Sequence, residues 1–207
     1  MRLPVSAHTR TWRIHEIAPD FRVEDVWSLD TPGGPDDLRL LVEQFAAGGS
    51  GHGGRRGRGS RTLVLRALFA VRAGLGRLLR WDTPEAGLGA RVRSLRQRLP
   101  EDLCSGERGP DIGGAISFDS LYLTRDEWAA ENANRTVHAV LHLGWVPDGH
   151  GGHRGELTVL AKPNGPLGRC YMAAIKPFRY ALVYPALLRT VEREWRAREQ
   201  LRGEGRG

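Results

Sequence analysis

The chain has 207 residues, 31 Lys and Arg against 24 Asp and Glu, and a formal net charge of +7. That length fits a single domain, 1–207, with its own core. Two cysteines, Cys104 and Cys170, are too few for a disulfide scaffold, and Gly 27 and Pro 12 stay below the level of a disordered chain.

Residues 11–17 place Trp12 and Ile14 on one alternating face and predict a first strand. Asp20 stands where it would cap a short helix holding Val23, Val26 and Trp27. Turn residues at 30–35 lead to Asp36, a second cap, and to a helix over 38–47 carrying Leu40, Leu41 and Phe45. Residues 48–60 are low-complexity Gly, Arg, Ser and His, a run that buries too little apolar surface to offset its ordering entropy. A flexible loop is expected there. Ser60 then caps a helix over 61–81, with Val64, Leu68, Val71, Leu75 and Leu78 as its apolar stripe and Arg66, Arg77 and Arg80 opposite.

Charge is concentrated in this region. Residues 55–98 hold 12 Arg against Asp82 and Glu85, a local net of +10. Such a block attracts phosphates, so weak contact with an anionic membrane is an expected third role. Nucleic acid is the poorer partner, because the loop has no aromatic residue on which a base would stack. The plainest reading is a solvated insertion.

Residues 94–99 predict a short basic helix ended by Pro100, 104–114 a loop, and 116–123 a strand. Thr124 and Glu127 have the spacing of a capping box, which predicts a helical turn over 124–134. The alternative is an extended run of the same sheet, with Trp128, Ala130 and Asn132 on one face.

The strongest signal lies in residues 136–162. Val137, Ala139, Leu141, Leu143 and Trp145 alternate with Thr136, His138, Val140, His142 and Gly144. The first face is apolar and requires cover, whereas the second is mixed and is expected to tolerate water. After a glycine-rich turn, Leu157, Val159 and Ala161 repeat the pattern, giving an antiparallel hairpin. From 167 to 198 an apolar stripe runs at helical spacing through Tyr171, Ile175, Phe178, Leu182, Tyr184, Leu188, Val191 and Trp195. Pro177 and Pro185 predict kinks or segment starts. Alternation within 178–184 leaves a strand as the lesser alternative, and Arg169, Lys176 and Arg179 exclude a membrane span. Residues 199–207 read as a disordered tail.

Catalytic chemistry is sparse. His138 and His142, with His150 and His153 in the adjoining turn, invite a metal reading. Strand residues four apart are about 13 Å from one another, too far to share an ion. Cys170 reads as a small buried core residue, and Asp126, Glu127 and Glu131 as exposed helix charge. No Gly-x-Ser-x-Gly, P-loop or dinucleotide-binding glycine motif is present. No cofactor and no metal are expected. The N-terminal stretch lacks the apolar core of a secretion signal, so a cytoplasmic, reducing location is the default.

The element order resembles that of the helix-grip fold of START and Bet v 1-like proteins. More closely, Asn134-Arg-Thr-Val-His-Ala-Val-Leu-His-Leu-Gly-Trp145, Lys162-Pro-Asn-Gly-Pro-Leu-Gly168, Tyr171-Met-Ala-Ala-Ile-Lys-Pro-Phe-Arg-Tyr180 and Trp12-Arg-Ile-His-Glu-Ile-Ala-Pro-Asp20 are similar to a bacterial family of unknown function, DUF2867. The resemblance implies an α+β fold in which a curved antiparallel sheet grips a long C-terminal helix. It supplies no catalytic residues. A cavity between sheet and helix, lined by Leu141, Leu143, Trp145, Val159, Tyr171, Ile175 and Phe178, would suit a hydrophobic small molecule or lipid. The enzyme alternative is a cyclase or hydrolase using His138 or His142 as acid/base, provided that their face turns into the cavity.

Overall fold

The computed structural model describes residues 2–3, 10–49, 92–113 and 117–204. In chain order these form β1 (Arg2–Leu3), α1 (Arg13–Ile17), β2 (Arg22–Ser28), α2 (Leu38–Gly49), a 3-10 turn (Leu95–Arg98) and α3 (Glu101–Cys104). Then follow β3 (Asp119–Leu123), β4 (Glu127–Ala133), β5 (Val137–Pro147), β6 (His153–Pro163), α4 (Gly165–Phe178), a π-helical turn (Arg179–Val183) and α5 (Tyr184–Glu204). Gly48 and Gly49, expected to open the flexible loop over 48–60, close α2 instead. The rest of that loop, the helix over 61–81 and most of the basic block lie outside the described residues.

The fold is α+β. Six strands form one sheet in the order β1-β2-β6-β5-β4-β3, and every neighbouring pair is antiparallel. The β5–β6 hairpin is its centre. Its register runs without slip from Val137↔Pro163 to Pro147↔His153. Asp148 closes the turn by accepting the His150 and Gly152 amides at 2.7 and 3.0 Å.

Both faces of the sheet are covered. On one, α2, α5 and the π-turn bury Trp27, Trp128, Leu143, Trp145 and Leu157 together with Trp195 of α5, and α4 covers Val137 and Ala161 with Met172. Trp145 and Trp195 meet with ring centroids 6.0 Å apart, and each indole N–H donates to a loop carbonyl, that of Gly34 or Pro32. On the other face, α1, the 3-10 turn and α3 cover Val140, Leu121, Tyr122 and Leu160 with Trp12, Ile14, Leu95 and Leu103. The second face of β5, expected to tolerate water, is therefore buried: His138, Val140 and His142 are 3%, 0% and 0% exposed.

Several expected elements change type. Residues 13–17 are helical rather than a strand; Ile14 and Ile17, three apart, are the buried pair, and the His15 Nδ1 accepts the Trp12 amide at 3.1 Å. The expected helix after Asp20 is β2. A bulge between Val23 and Asp25 breaks the alternation, so that Val23, Val26 and Trp27 mimic helical spacing. Asp20 caps nothing; its carboxylate pairs with Arg98 at 2.6 Å and Lys162 at 2.7 Å. The Thr124–Glu127 spacing closes a tight hairpin between β3 and β4, not a helical turn. Thr124 N donates to Glu127 O at 2.8 Å, and Glu127 N to Thr124 Oγ1 at 3.1 Å.

The C-terminal segment is helical from Gly165 to Glu204, with Pro177 inside α4 and Pro185 in the first turn of α5. The proline disruption is absorbed by the π-turn between them, and no strand forms over 178–184. Helix α5 also takes in 199–204, correcting the expected tail there, while 205–207 lie outside the described residues. Among the described residues no helix is long and apolar enough to cross a membrane.

Candidate functional site

The β5 histidines and the β4 glutamates form a ladder of two like pairs. Both sets are spaced by four, and the antiparallel register places Ala129 opposite His142 and Ala133 opposite His138. Each imidazole thus reaches a carboxylate one step along the same face: His142 Nε2 lies 3.0 Å from Glu127, and His138 Nε2 lies 2.7 Å from Glu131. Glu127 also accepts the Tyr122 hydroxyl and the Arg13 amide, both at 3.1 Å. Glu131 accepts the Ser94 hydroxyl and, at 3.0 Å, the Leu95 amide. Far from being exposed helix charge, Glu127 and Glu131 are 3% and 1% exposed.

Burial raises the Glu131 pKa, but the hydrogen bonds from His138, Ser94 and Leu95 outweigh it and leave the carboxyl below its ordinary range. The Tyr122 phenol is pushed far up, first by burial and then by the charge of Glu127. Trp12 lies over His142 with ring centroids 5.1 Å apart, and Phe21 meets His138 edge-on at 4.9 Å. The network sits under the N-terminal segment. It ties that segment and the 3-10 turn to the sheet.

The opposite face carries a second polar cluster, which the sequence reading missed. Asp25 of β2, fully buried, accepts the hydroxyls of Tyr180, from the π-turn, and Tyr184, from α5, the latter at 2.7 Å. Arg179 reaches both Asp25 and Glu24 at 3.3 Å. Trp27 packs against Tyr184 at 5.1 Å and Tyr180 at 6.4 Å, completing an aromatic trio around the carboxylate. Burial drives the Tyr184 phenol well above its usual range, Arg179 opposing and Asp25 reinforcing the shift. Two buried N–H groups in this cluster, Trp27 Nε1 and Arg179 Nε, have no hydrogen-bond partner among the described residues.

A cross-strand row leads from Asp25 through Val159 and Leu141 to Ala130. Leu141 and the neighbouring Ala139 are only partly buried, although β5 is a central strand. Tyr171, Ile175 and Tyr180, from the helical segment above, are partly buried too. These residues are less buried than Trp145 and Trp195 at the other end of the sheet–helix seam.

The expected cavity residues Leu141, Leu143, Trp145 and Val159 thus all lie on the helix side of the sheet. Leu143, Trp145 and Val159 belong to the main core, with Leu141 at its margin. Tyr171 and Ile175 border a smaller cluster built on Val137, Ala161 and Met172. The side chain of Phe178 lies outside the described residues. His138 and His142 are on the other face, so the sheet separates them from these residues. Cys170, expected to be buried, is exposed, as is Cys104. His150 lies exposed in the β5–β6 turn, and among the described residues no group of three or more His, Cys, Asp or Glu is placed to hold a metal ion. A shallow surface cleft near Leu123 is bordered by Asp36, Arg39, Glu107 and Arg125, whose charges pair off as Arg39–Glu107 and Arg125–Asp36.

The model of one family, described as a protein of unknown function (DUF2867), matches residues 17–186. No curated protein matches the chain, and no solved structure does.

Proposed function

The chain belongs to the DUF2867 family, and from that premise we propose that it binds a hydrophobic small molecule or lipid between the sheet and the C-terminal helical segment, in the manner of a helix-grip protein. One observation carries the reading: the central-strand residues Ala139 and Leu141 keep partial exposure on the face of the sheet where Arg179 and Tyr180 of the π-turn converge on a buried Asp25. An apolar recess with a few convergent polar groups is the usual form of a small-molecule site, and π-turns recur at such places. The antiparallel sheet crossed on one face by the C-terminal helices supports the helix-grip architecture. Binding is favoured over catalysis, because the two imidazoles that would serve as acid or base are buried on the other face, each held by a glutamate.

The test uses the purified full chain and Nile red, a neutral hydrophobic fluorophore. Saturable binding by the wild type, lost in Leu141→Trp at unchanged melting temperature, is the expected result. The absence of saturable binding, or equal binding by the variant, overturns the reading. Mass spectrometry of a solvent extract of the protein identifies any co-purified molecule.

A further inference from the structure

The polar end of the seam carries information about ligand class. Resting on the binding reading above, we infer that the occupant is a neutral hydrophobic molecule bearing a carbonyl acceptor (a ketone, ester or amide) and that carboxylates such as free fatty acids are rejected. The first ground is the balance of donors. Asp25 is supplied by two tyrosine hydroxyls and by Arg179. Trp27 Nε1 and Arg179 Nε are buried N–H groups without a partner among the described residues. Both are donors only. Buried donors are rarely left unpaired in folded proteins. What they lack is an acceptor.

The second ground is charge. Arg179 lies 3.3 Å from both Glu24 and Asp25, and the formal charges of these three sum to one negative. The guanidinium is thus already shared between two carboxylates. Arg22 and Lys176, the next cations in sequence, are exposed and solvated, and so screen little here. An incoming carboxylate would shed its water to meet a site of its own sign, whereas a carbonyl brings the acceptor without the charge. The apolar body then lies against Leu141 and Ala139, with Trp27 and Tyr180 flanking the polar end.

The probes are 11-(dansylamino)undecanoic acid and its methyl ester, which differ only in the carboxyl group. Titrated into the full chain at pH 7.5 and followed by dansyl fluorescence, the ester is expected to bind at least about tenfold more tightly than the acid. Glu24→Gln, which removes one largely buried negative charge, narrows that gap. Trp27→Phe, which keeps the ring and deletes the N–H, weakens the ester about five- to tenfold, the worth of one hydrogen bond near 1 kcal/mol. Equal or tighter binding of the acid overturns the inference, as does an ester affinity unchanged in Trp27→Phe. If neither dansyl probe binds while Nile red does, the ligand class is wrong and the site stands. If Nile red fails as well, the site itself is wrong.

Discussion

Two helical glycines should respond to the same substitution with opposite signs. Gly168 lies in the first turns of α4, and a Cβ built there would stand 2.1 Å from the Thr136 carbonyl oxygen and 3.3 Å from the Pro163 carbonyl carbon. Replacing a helical glycine by alanine ordinarily stabilises by up to about 1 kcal/mol. Here the added methyl meets backbone that has little freedom to give way. Thr136 O accepts the Asn164 amide at 2.8 Å, and Asn134 Oδ1 accepts the Thr136 amide and hydroxyl and the Val137 amide at 2.8–3.0 Å. The start of α4 must therefore retreat by roughly an ångström from a close-packed strand end, an overpacking that costs about 1–3 kcal/mol and sometimes more. Steric cost wins over propensity, and Gly168→Ala is expected to lose about 2 kcal/mol, or roughly 4–8 °C in Tm for a chain of this size. Gly48, in α2, has no heavy atom within 4 Å of its added Cβ. Gly48→Ala should gain up to about 1 kcal/mol. Thermal melts of the three proteins, followed by circular dichroism at 222 nm, make the comparison. A Gly168→Ala variant melting at or above the wild type would refute the close approach of α4 to the Thr136 carbonyl.

Two more expectations concern the core. The Glu131 carboxyl is held below its ordinary range in the folded chain, so its stabilisation is complete above the unfolded value near 4.5 and is lost as pH falls through the lower folded value. Denaturant melts should show wild-type stability falling below about pH 4.5 and Glu131→Gln, weaker at pH 7, falling less steeply; parallel acid limbs would contradict this. Trp195→Ala empties the space against Trp145 and removes the bond to Pro32 O, and should cost about 3–5 kcal/mol by urea melts. A loss under about 1 kcal/mol would place that ring outside the core.

Legibility from sequence followed the simplicity of the local pattern. The β5–β6 hairpin and α2 were readable because one period covers each from end to end. Strand β2 was not, because its bulge turns an alternating strand into a helix-like spacing of Val23, Val26 and Trp27. Strand β4 was legible only as the alternative to a helical turn, because Glu127 and Glu131 are charges that ordinarily mark solvent; their burial rests on pairing with His142 and His138 and on the bonds from Tyr122, Arg13, Ser94 and Leu95. A signal for that pairing was present: two glutamates and two histidines, each four apart, on segments joined by a short turn. The Asp25 cluster had no such signal, since its partners Tyr180 and Tyr184 lie 155 and 159 positions away and meet it only across the finished fold. The helix-side placement of the expected cavity residues was legible for the opposite reason. They share one alternating face.

Both faces of the sheet hold buried polar atoms without a protein partner among the described residues, so orphaned groups alone do not point to the functional face. On the histidine side these are Trp12 Nε1, His142 Nδ1 and Thr158 Oγ1, borne by residues 2%, 0% and 0% exposed. The indole is a donor, while the imidazole nitrogen and the hydroxyl can each donate or accept. Such a mixed set suits enclosed water, and no partly exposed aromatic of that cluster leads outward. The helix-side set divides in two. Gln44 Oε1 lies between α2 and α5 and His153 Nδ1 at the start of β6, whereas the two orphans beside Asp25, Trp27 Nε1 and Arg179 Nε, are donors only. Arg179 and Tyr180 are themselves partly exposed, as are Leu141 and Ala139 on the same face of the sheet. A ligand needs an unmet acceptor role and a way in, and only the Asp25 face supplies the two together. Substitutions in the Glu127–Glu131 ladder should therefore change stability without changing probe affinity in the surviving fold. Glu24→Gln should change the acid–ester discrimination at nearly constant stability, and Trp27→Phe should weaken the ester whatever it costs the core in stability.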